Sequence, residues 1–226
     1  WKAHPDAHPV TREGVRLGGG ARGMASPSSP AYAAACEAIT TQLATRYAAH
    51  PALRLWHVHN EYGVPVGECY SDDSVRAFRT WLEQRYGTIG ALNDAWGTTF
   101  WGQRYGAWDE IDAPRVAPSV VNPAQRLDFA RFTSDAQLAC FTRERDILHR
   151  LSPGIPVTTN IMASSRPEID YWRWAPEMDL IANDHYLTAE RLDNHVMLSM
   201  DADLTRSLAG GAPWLLIEHS TSAVNW

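Results

Sequence analysis

Four short apolar segments alternate with helical segments along this chain of 226 residues, and this alternation restricts its fold more than any other feature. The apolar segments span 53–60, 155–160, 178–186 and 213–220. Neighbouring parallel strands need a crossover connection, which is usually a helix. Strands that alternate with helices therefore predict an α/β fold with a parallel sheet.

The helical segments are recognised by apolar residues that recur every three or four positions. One helix is predicted to begin at Pro30 and to bury the face formed by Tyr32, Cys36, Ile39, Leu43 and Tyr47. A long helix is predicted to start at Asn122-Pro123, and a shorter one to span about 201–208.

Two α/β architectures compete. A doubly wound sheet would carry a glycine-rich phosphate-binding turn, which this sequence lacks. In a (β/α)8 barrel, functional residues gather at the carboxyl ends of the strands, and these strands end on Asn60-Glu61, Asn160, Asn183-Asp184-His185 and Glu218-His219. A complete barrel takes about 250 residues. We therefore expect residues 1–226 to form one domain that is part of a (β/α)8 barrel.

An aromatic-rich insertion is predicted over 68–121, after the first of these strands. A capped helix is expected over 72–86 with Gly87 just beyond its end, and a second helix over 88–97. The aromatic residues are too many for a free loop, and they include Phe78, Trp81, Tyr86, Trp96, Phe100, Trp101, Tyr105 and Trp108. Two interpretations stay open: a contact with another subunit, and a small local core.

Composition excludes several classes of partner. The net charge is −6, so general attraction to nucleic acid or to an anionic membrane is not expected. No apolar run approaches the roughly 20 residues that span a bilayer. The cysteines Cys36, Cys69 and Cys140 are odd in number and scattered, which argues against a disulfide framework. We predict a cytoplasmic location.

Two of the predicted strands end on a glutamate. Glu61 follows the first strand in LWHVHNEYG (55–63), and Glu218 lies in LLIEHSTSAVNW (215–226). Hydrolysis of a glycosidic bond uses two carboxyl groups that flank one bond, and barrel closure can bring two strand ends together. The pair therefore predicts carboxylate chemistry, although an Asn-Glu dipeptide by itself is a weak signal.

Two other chemistries are considered. His57 and His59 alternate on a strand and so share a face, and Asp184-His185 could join them in a metal site, but no HExxH spacing is present. A serine nucleophile is disfavoured because the sequence contains no GxSxG elbow.

The sequence resembles glycoside hydrolase family 42, the β-galactosidases. The resemblance covers almost the whole chain and is carried by LWHVHNEYG, RYGTIGALNDAWGT with its WDEI tail, DYWRWAPEMDLIANDHY and WLLIEHSTSAVNW. It implies a (β/α)8 barrel with catalytic glutamates on strands four and seven, so this chain is expected to cover roughly strands 4 to 7.

The resemblance also implies roles. Glu61 corresponds to the acid/base and Glu218 to the nucleophile, while Asn60 corresponds to the amide that binds the sugar 2-hydroxyl. Arg22, Tyr186 and Trp226 fall where the family binds galactose. The implied protein is a retaining exo-β-galactosidase and a homotrimer at full length, inactive as the isolated segment. The alternatives are an α-L-arabinopyranosidase and a non-catalytic carbohydrate-binding barrel.

One family feature is missing. Many members carry a zinc site made of cysteines, but here only Cys69 remains. Ser71, Ser74 and Ala25-Ser26 stand at the other positions. One thiolate cannot hold a structural zinc ion. We therefore predict no metal and no cofactor.

Overall fold

The computed structural model describes residues 2–19, 22–220, 222 and 224. Its helices are α1 (Pro30–Tyr47), α2 (Asp72–Tyr86), α3 (Ile89–Trp96), α4 (Pro123–Leu151), α5 (Tyr171–Trp174) and α6 (Asn194–Leu208). Its strands are β1 (Trp56–His57), β2 (Val157–Thr158), β3 (Asn160–Ile161), β4 (Ala182–Asp184) and β5 (Leu215–Glu218). Short 3-10 turns occur at Pro5–Ala7, Phe100–Gly102, Trp108–Glu110 and Ala175–Glu177.

All the strand pairs are parallel in the described residues, so the predicted α/β fold is confirmed. β1 pairs with β2, and β3, β4 and β5 form a second sheet in that order. The strand predicted at 155–160 is split at Thr159, because its first half pairs with β1 and its second half with β4. Each strand is shorter than the apolar segment that predicted it.

The chain forms two compact units. The first comprises residues up to Ala35 together with Val64–Gln137, and the second comprises Cys36–Gly63 together with Leu138–Trp226. The single domain expected over residues 1–226 stays a prediction.

The first unit has an aromatic core. Ser71 caps α2, which ends at Gly87 with φ of +71°, and Thr88 caps α3. Both helices therefore occupy the predicted ranges. The fully buried side chains of this core include Phe78, Leu82, Leu92, Ile111 and Phe129.

The aromatic residues of the insertion divide into two groups. Trp96 is buried, and its indole N–H donates to Asp128 at 2.9 Å, while Trp108 packs against the same core. Phe100 and Trp101 are 63% and 67% exposed and stack on each other with ring centroids 4.5 Å apart. The local core is therefore present, and one aromatic pair lies outside it.

In the second unit, the buried face of α1 differs from the predicted one. Thr40 and Ala44 are buried, whereas Ile39 and Leu43 are exposed. Thr40 Oγ1 donates to the buried Glu144 carboxylate of α4 at 2.5 Å. The buried residues of α1 are therefore small, one of them bonds to α4, and the predicted apolar face is wrong.

Candidate active site

Glu61 lies in the turn that follows β1. The backbone φ angles of His59 and Glu61 are +56° and +50°, in the left-handed region that residues other than glycine seldom adopt. The Glu61 side chain is buried and belongs to the second unit. Asn60 Nδ2 donates to Glu61 Oε2 at 3.1 Å, so the predicted amide and carboxylate are in contact.

Glu218 is the last residue of β5, and a bulge determines its position. Ala182 and Asn183 oppose Leu215 and Leu216, but Asp184 then opposes Glu218, which leaves one residue of β5 unmatched. Bulges re-aim side chains next to functional sites. Here the bulge places Glu218 opposite Asp184.

Tyr186 is a direct partner of Glu218. Its hydroxyl donates to Glu218 Oε2 at 2.9 Å. Burial raises the pKa of Tyr186 to about 12, and the hydrogen bond to Glu218 and the negative charges of the neighbouring carboxylates act in the same direction. The hydroxyl therefore keeps its proton and remains a donor to the carboxylate at neutral pH.

Three carboxylates meet at this point. Single oxygen atoms of Glu61, Asp184 and Glu218 all lie within 4.8 Å of one another. Such a group offers possible metal ligands, but Asn160 Nδ2 directs its hydrogens at Asp184 Oδ2 and Glu218 Oε1. These hydrogen bonds give two of the carboxylates a fixed donor, an arrangement that suits acid–base and nucleophilic chemistry.

The histidines considered for a metal site do not belong to this carboxylate group. His57 Nε2 lies 2.9 Å from Asn160 Oδ1, and the His59 ring lies 4.4 Å from that of Tyr62. His185 Nδ1 lies 2.5 Å from Asp201 Oδ2 of α6. Their contacts favour positioning and packing roles.

Two further residues, Arg22 and Trp226, were expected to bind the sugar. Arg22 is exposed in the first unit, and Trp226 lies outside the described residues. Both roles stay predictions. The structure shows two further residues in contact with the candidate catalytic glutamates or beside them, Asn160 and Asp184. The sequence indicated them only as polar residues at strand ends.

The model of glycoside hydrolase family 42, described as β-galactosidase, matches residues 1–226. The chain belongs to this family. A β-galactosidase from Arthrobacter sp. is 53% identical over 226 residues, which are 100% of this chain and 33% of that protein. One from Geobacillus kaustophilus is 44% identical over 225 residues, with the same two shares. The chain thus spans about a third of the length of these curated relatives.

Solved structures of β-galactosidases have the same fold. The enzyme of the haloarchaeon Halorubrum lacusprofundi matches with a TM-score of 0.94 at 31% identity, over 100% of this chain and 36% of that one. The enzyme of Bacillus circulans sp. alkalophilus matches with a TM-score of 0.88 at 41% identity, over 96% and 32%. Family 42 structures are TIM-barrel enzymes, and the α/β fold of this chain matches them. None of the helices in the described ranges has the length and apolar character needed to cross a membrane.

Hydroxyl groups lie at positions where the resemblance to family 42 implied a zinc site made of cysteines. Ser26, Ser71 and Ser74 are buried in the first unit, with their Oγ atoms 3.1–3.3 Å apart, and Cys69 Sγ donates to Ser71 Oγ at 3.4 Å. Burial alone would raise the pKa of the Cys69 thiol, but hydrogen bonds from the three serines outweigh it and lower the pKa. One thiol and three mutually bonded hydroxyls do not fit zinc, which prefers several thiolate or imidazole ligands.

Proposed function

We propose that the protein is a retaining exo-β-galactosidase that hydrolyses terminal, non-reducing β-D-galactosides by double displacement. The observation that carries this proposal is the separation of Glu61 and Glu218, whose carboxylate oxygens approach within 4.8 Å. Retaining glycosidases keep the two carboxyl groups about 5–5.5 Å apart, whereas inverting ones leave about 6.5–9.5 Å for a water molecule. The distance supports a direct attack by one carboxylate.

In the first step, Glu218 attacks the anomeric carbon while Glu61 gives its proton to the leaving oxygen. The glycosidic bond breaks and a covalent galactosyl ester forms. In the second step, Glu61 takes a proton from the attacking water, and the ester bond to Glu218 breaks. Two inversions restore the β configuration. Tyr186 donates a hydrogen bond to the charged Glu218, and Asn60 binds the 2-hydroxyl of the sugar.

The relatives support the choice of reaction and sugar. The curated proteins that match over the whole chain are named β-galactosidases. Gan42B, a family 42 β-galactosidase of G. stearothermophilus, has been crystallised as a catalytic glutamate-to-alanine mutant. A catalytic glutamate in a relative 35% identical to this chain supports a glutamate role here.

We also propose that the chain supplies barrel strands 4 to 7 of one catalytic domain, as β1, β2 with β3, β4 and β5. The chain matches only about a third of each relative, so the remaining barrel strands would come from other parts of the full-length protein. The isolated segment is therefore expected to be inactive.

The test uses the full-length protein with nitrophenyl β-galactoside. Glu218→Ala is expected to lower kcat by on the order of 10⁴-fold, and azide should restore turnover with an inverted galactosyl azide. Glu61→Ala should spare the first step with a dinitrophenyl leaving group, which needs no proton. Glu190→Ala changes an exposed glutamate of the same unit and should behave as the wild type.

Opposite rescue patterns would reverse the two roles, and galactose binding without turnover would favour a non-catalytic barrel. A panel of nitrophenyl glycosides separates the sugars. If kcat/KM is higher for the α-L-arabinopyranoside, which lacks the hydroxymethyl group, than for the β-galactoside, the proposed substrate would change to the arabinopyranoside.

We propose further that the full-length protein is a cytoplasmic homotrimer with Phe100 and Trp101 in the subunit contact. An exposed, stacked aromatic pair is a surface that a partner would cover. Light scattering should give a smaller mass for Trp101→Ala. Trp108→Ala, which removes a side chain packed on the core, should keep the mass and lower Tm. An unchanged trimer in Trp101→Ala would overturn this contact.

A further inference from the structure

The carboxamide of Asn160 joins the groups that carry the reaction. Asn160 begins β3 and is 1% exposed. Its Nδ2 lies 2.6 Å from Asp184 Oδ2, 3.0 Å from Glu218 Oε1 and 3.2 Å from Asn60 Oδ1. Its Oδ1 accepts the backbone N–H of Glu61 at 2.8 Å. One side chain therefore contacts both glutamates and the amide next to one of them.

Four of the partners of the carboxamide favour one orientation. Nδ2 faces the oxygens of Asp184, Glu218 and Asn60, which accept hydrogen bonds. A reversed amide would set Oδ1 against these oxygens and its NH2 group against the N–H of Glu61. The shortest of the contacts is to Asp184, so Asp184 is the group that most strongly fixes this orientation.

The backbone of Glu61 gives this contact a further consequence. Glu61 has a φ of +50°, which places it in a conformation that the chain must hold by tertiary contacts. The hydrogen bond from its N–H to Asn160 Oδ1 is such a contact. Loss of the carboxamide would release the backbone of one glutamate and remove a donor from the carboxylate of the other.

We propose that Asn160 is a positioning residue for the displacement reaction and that Asp184 orients its carboxamide. The inference rests on the proposed function, because it assigns Asn160 the task of aligning Glu61 and Glu218. Asn160 acts through the backbone of Glu61 and the carboxylate of Glu218, and not on the substrate itself.

Asn183 offers a matched control. It is the same residue type, is also 1% exposed and lies on the neighbouring strand β4. Its Oδ1 accepts from Ala163 N–H at 3.0 Å and its Nδ2 donates to the Asp184 carbonyl at 3.1 Å. Asn183→Ala thus removes a buried, doubly bonded carboxamide whose bonds go to the backbone.

The experiment measures kcat and KM of the full-length protein on nitrophenyl and dinitrophenyl β-galactosides. Misplacement of a reacting group by about 1 Å costs about 100-fold in rate, so Asn160→Ala should lose about 100-fold in kcat with KM changed less than threefold. The loss should persist with the dinitrophenyl substrate, because the alignment of Glu218 is also disturbed. Asn183→Ala should keep kcat within threefold once corrected for the folded fraction.

Asn160→Asp supplies a second readout in case the alanine variant does not fold. It keeps an oxygen for the Glu61 N–H but replaces the NH2 group by a charged oxygen. The titratable side chains in contact with the carboxamide are His57 of β1, Asp184 of β4 and Glu218 of β5. The Glu61 carboxylate lies within 4.8 Å of the carboxylates of Asp184 and Glu218, and the Tyr186 hydroxyl donates to Glu218. An added negative charge disfavours ionisation of its neighbours, so the acidic limb of kcat/KM should move up by about one pH unit.

The outcomes separate this inference from the function on which it rests. An inactive wild-type protein would overturn both. If the wild type is active, three results would overturn the positioning role alone. They are a kcat of Asn160→Ala within threefold of the wild type, a loss of kcat in Asn183→Ala as large as that in Asn160→Ala, and an unchanged pH profile in Asn160→Asp.

Discussion

Replacing Tyr186 by phenylalanine removes one hydrogen-bond donor from Glu218 and little else. The hydroxyl lies 2.9 Å from Glu218 Oε2 and keeps its proton, because burial and the neighbouring carboxylates raise the pKa of Tyr186 to about 12. Glu218 retains its second donor, Asn160 Nδ2, at 3.0 Å. The substitution should therefore weaken the nucleophile's alignment without abolishing it.

The size of the loss follows from the type of bond. A hydrogen bond to a charged group contributes about 1.5–3 kcal/mol, and 1.36 kcal/mol corresponds to a factor of ten in rate. Tyr186→Phe should therefore lower kcat/KM by about 10- to 160-fold.

The same substitution should shift one limb of the pH profile. The tyrosine hydroxyl favours the ionised carboxylate of Glu218, so without it a higher pH is needed to reach the active form. The acidic limb should move towards neutrality. The basic limb should stay in place up to about pH 10. In the wild type the Tyr186 hydroxyl, with a pKa of about 12, stays protonated in that range, so its removal takes away no group that titrates there.

Tyr171 is the matched control for this assay on the full-length protein. Burial raises its pKa to about 12 as well, but its hydroxyl accepts from the backbone N–H of Met162 at 3.2 Å. Tyr171→Phe should leave both limbs unmoved. The reasoning is refuted if Tyr186→Phe stays within threefold of the wild type, or if Tyr171→Phe produces the same loss and shift.

Three further predictions concern stability. Burial raises the pKa of Glu144, so the folded state binds this proton more tightly and loses stability as the pH rises through that pKa. Glu144→Gln should therefore raise Tm at pH 7 but not at pH 4. Equal changes in Tm at the two pH values would contradict this prediction. Asp201→Ala leaves the buried His185 Nδ1 without its partner at 2.5 Å and should lower the free energy of unfolding by about 1–3 kcal/mol in urea titrations. An unchanged free energy of unfolding would contradict this prediction. Dialysis against a chelator should leave Tm unchanged, and one zinc ion per chain by mass spectrometry would show that the Cys69 cluster does bind metal.

Local signals accounted for the helices that the sequence predicted well. α2 lies between a serine that accepts the N–H of Ser74 and a glycine with positive φ, and α3 follows a threonine whose side chain accepts the N–H of Ala91. Each of these signals acts within four residues of the helix end. α4 also begins at Pro123, directly after the predicted Asn122.

Helix features that depend on distant contacts were predicted less well. α6 begins at Asn194 and not near Asp201. The Asn194 side chain accepts from Thr188 N–H and donates to the carbonyls of Thr188 and Arg191, so the preceding loop organises the first turn. The apolar periodicity from which the helix was predicted does not reveal these contacts with the loop.

The active site shows the same division between local and distant information. The sequence predicted both strand-end glutamates, Glu61 and Glu218, because an apolar run and the polar residue at its end are neighbours in the chain. The pairing of residues across strands could not be predicted in this way. Asn160 and Asn183 are both buried asparagines near strand ends, yet only Asn160 bonds to the carboxylates. The difference arises from two irregularities, the break at Thr159 that turns β3 towards β4 and the bulge that sets Asp184 opposite Glu218. Because one step of register reverses the face on which a side chain lies, these breaks decide which asparagine joins the glutamates.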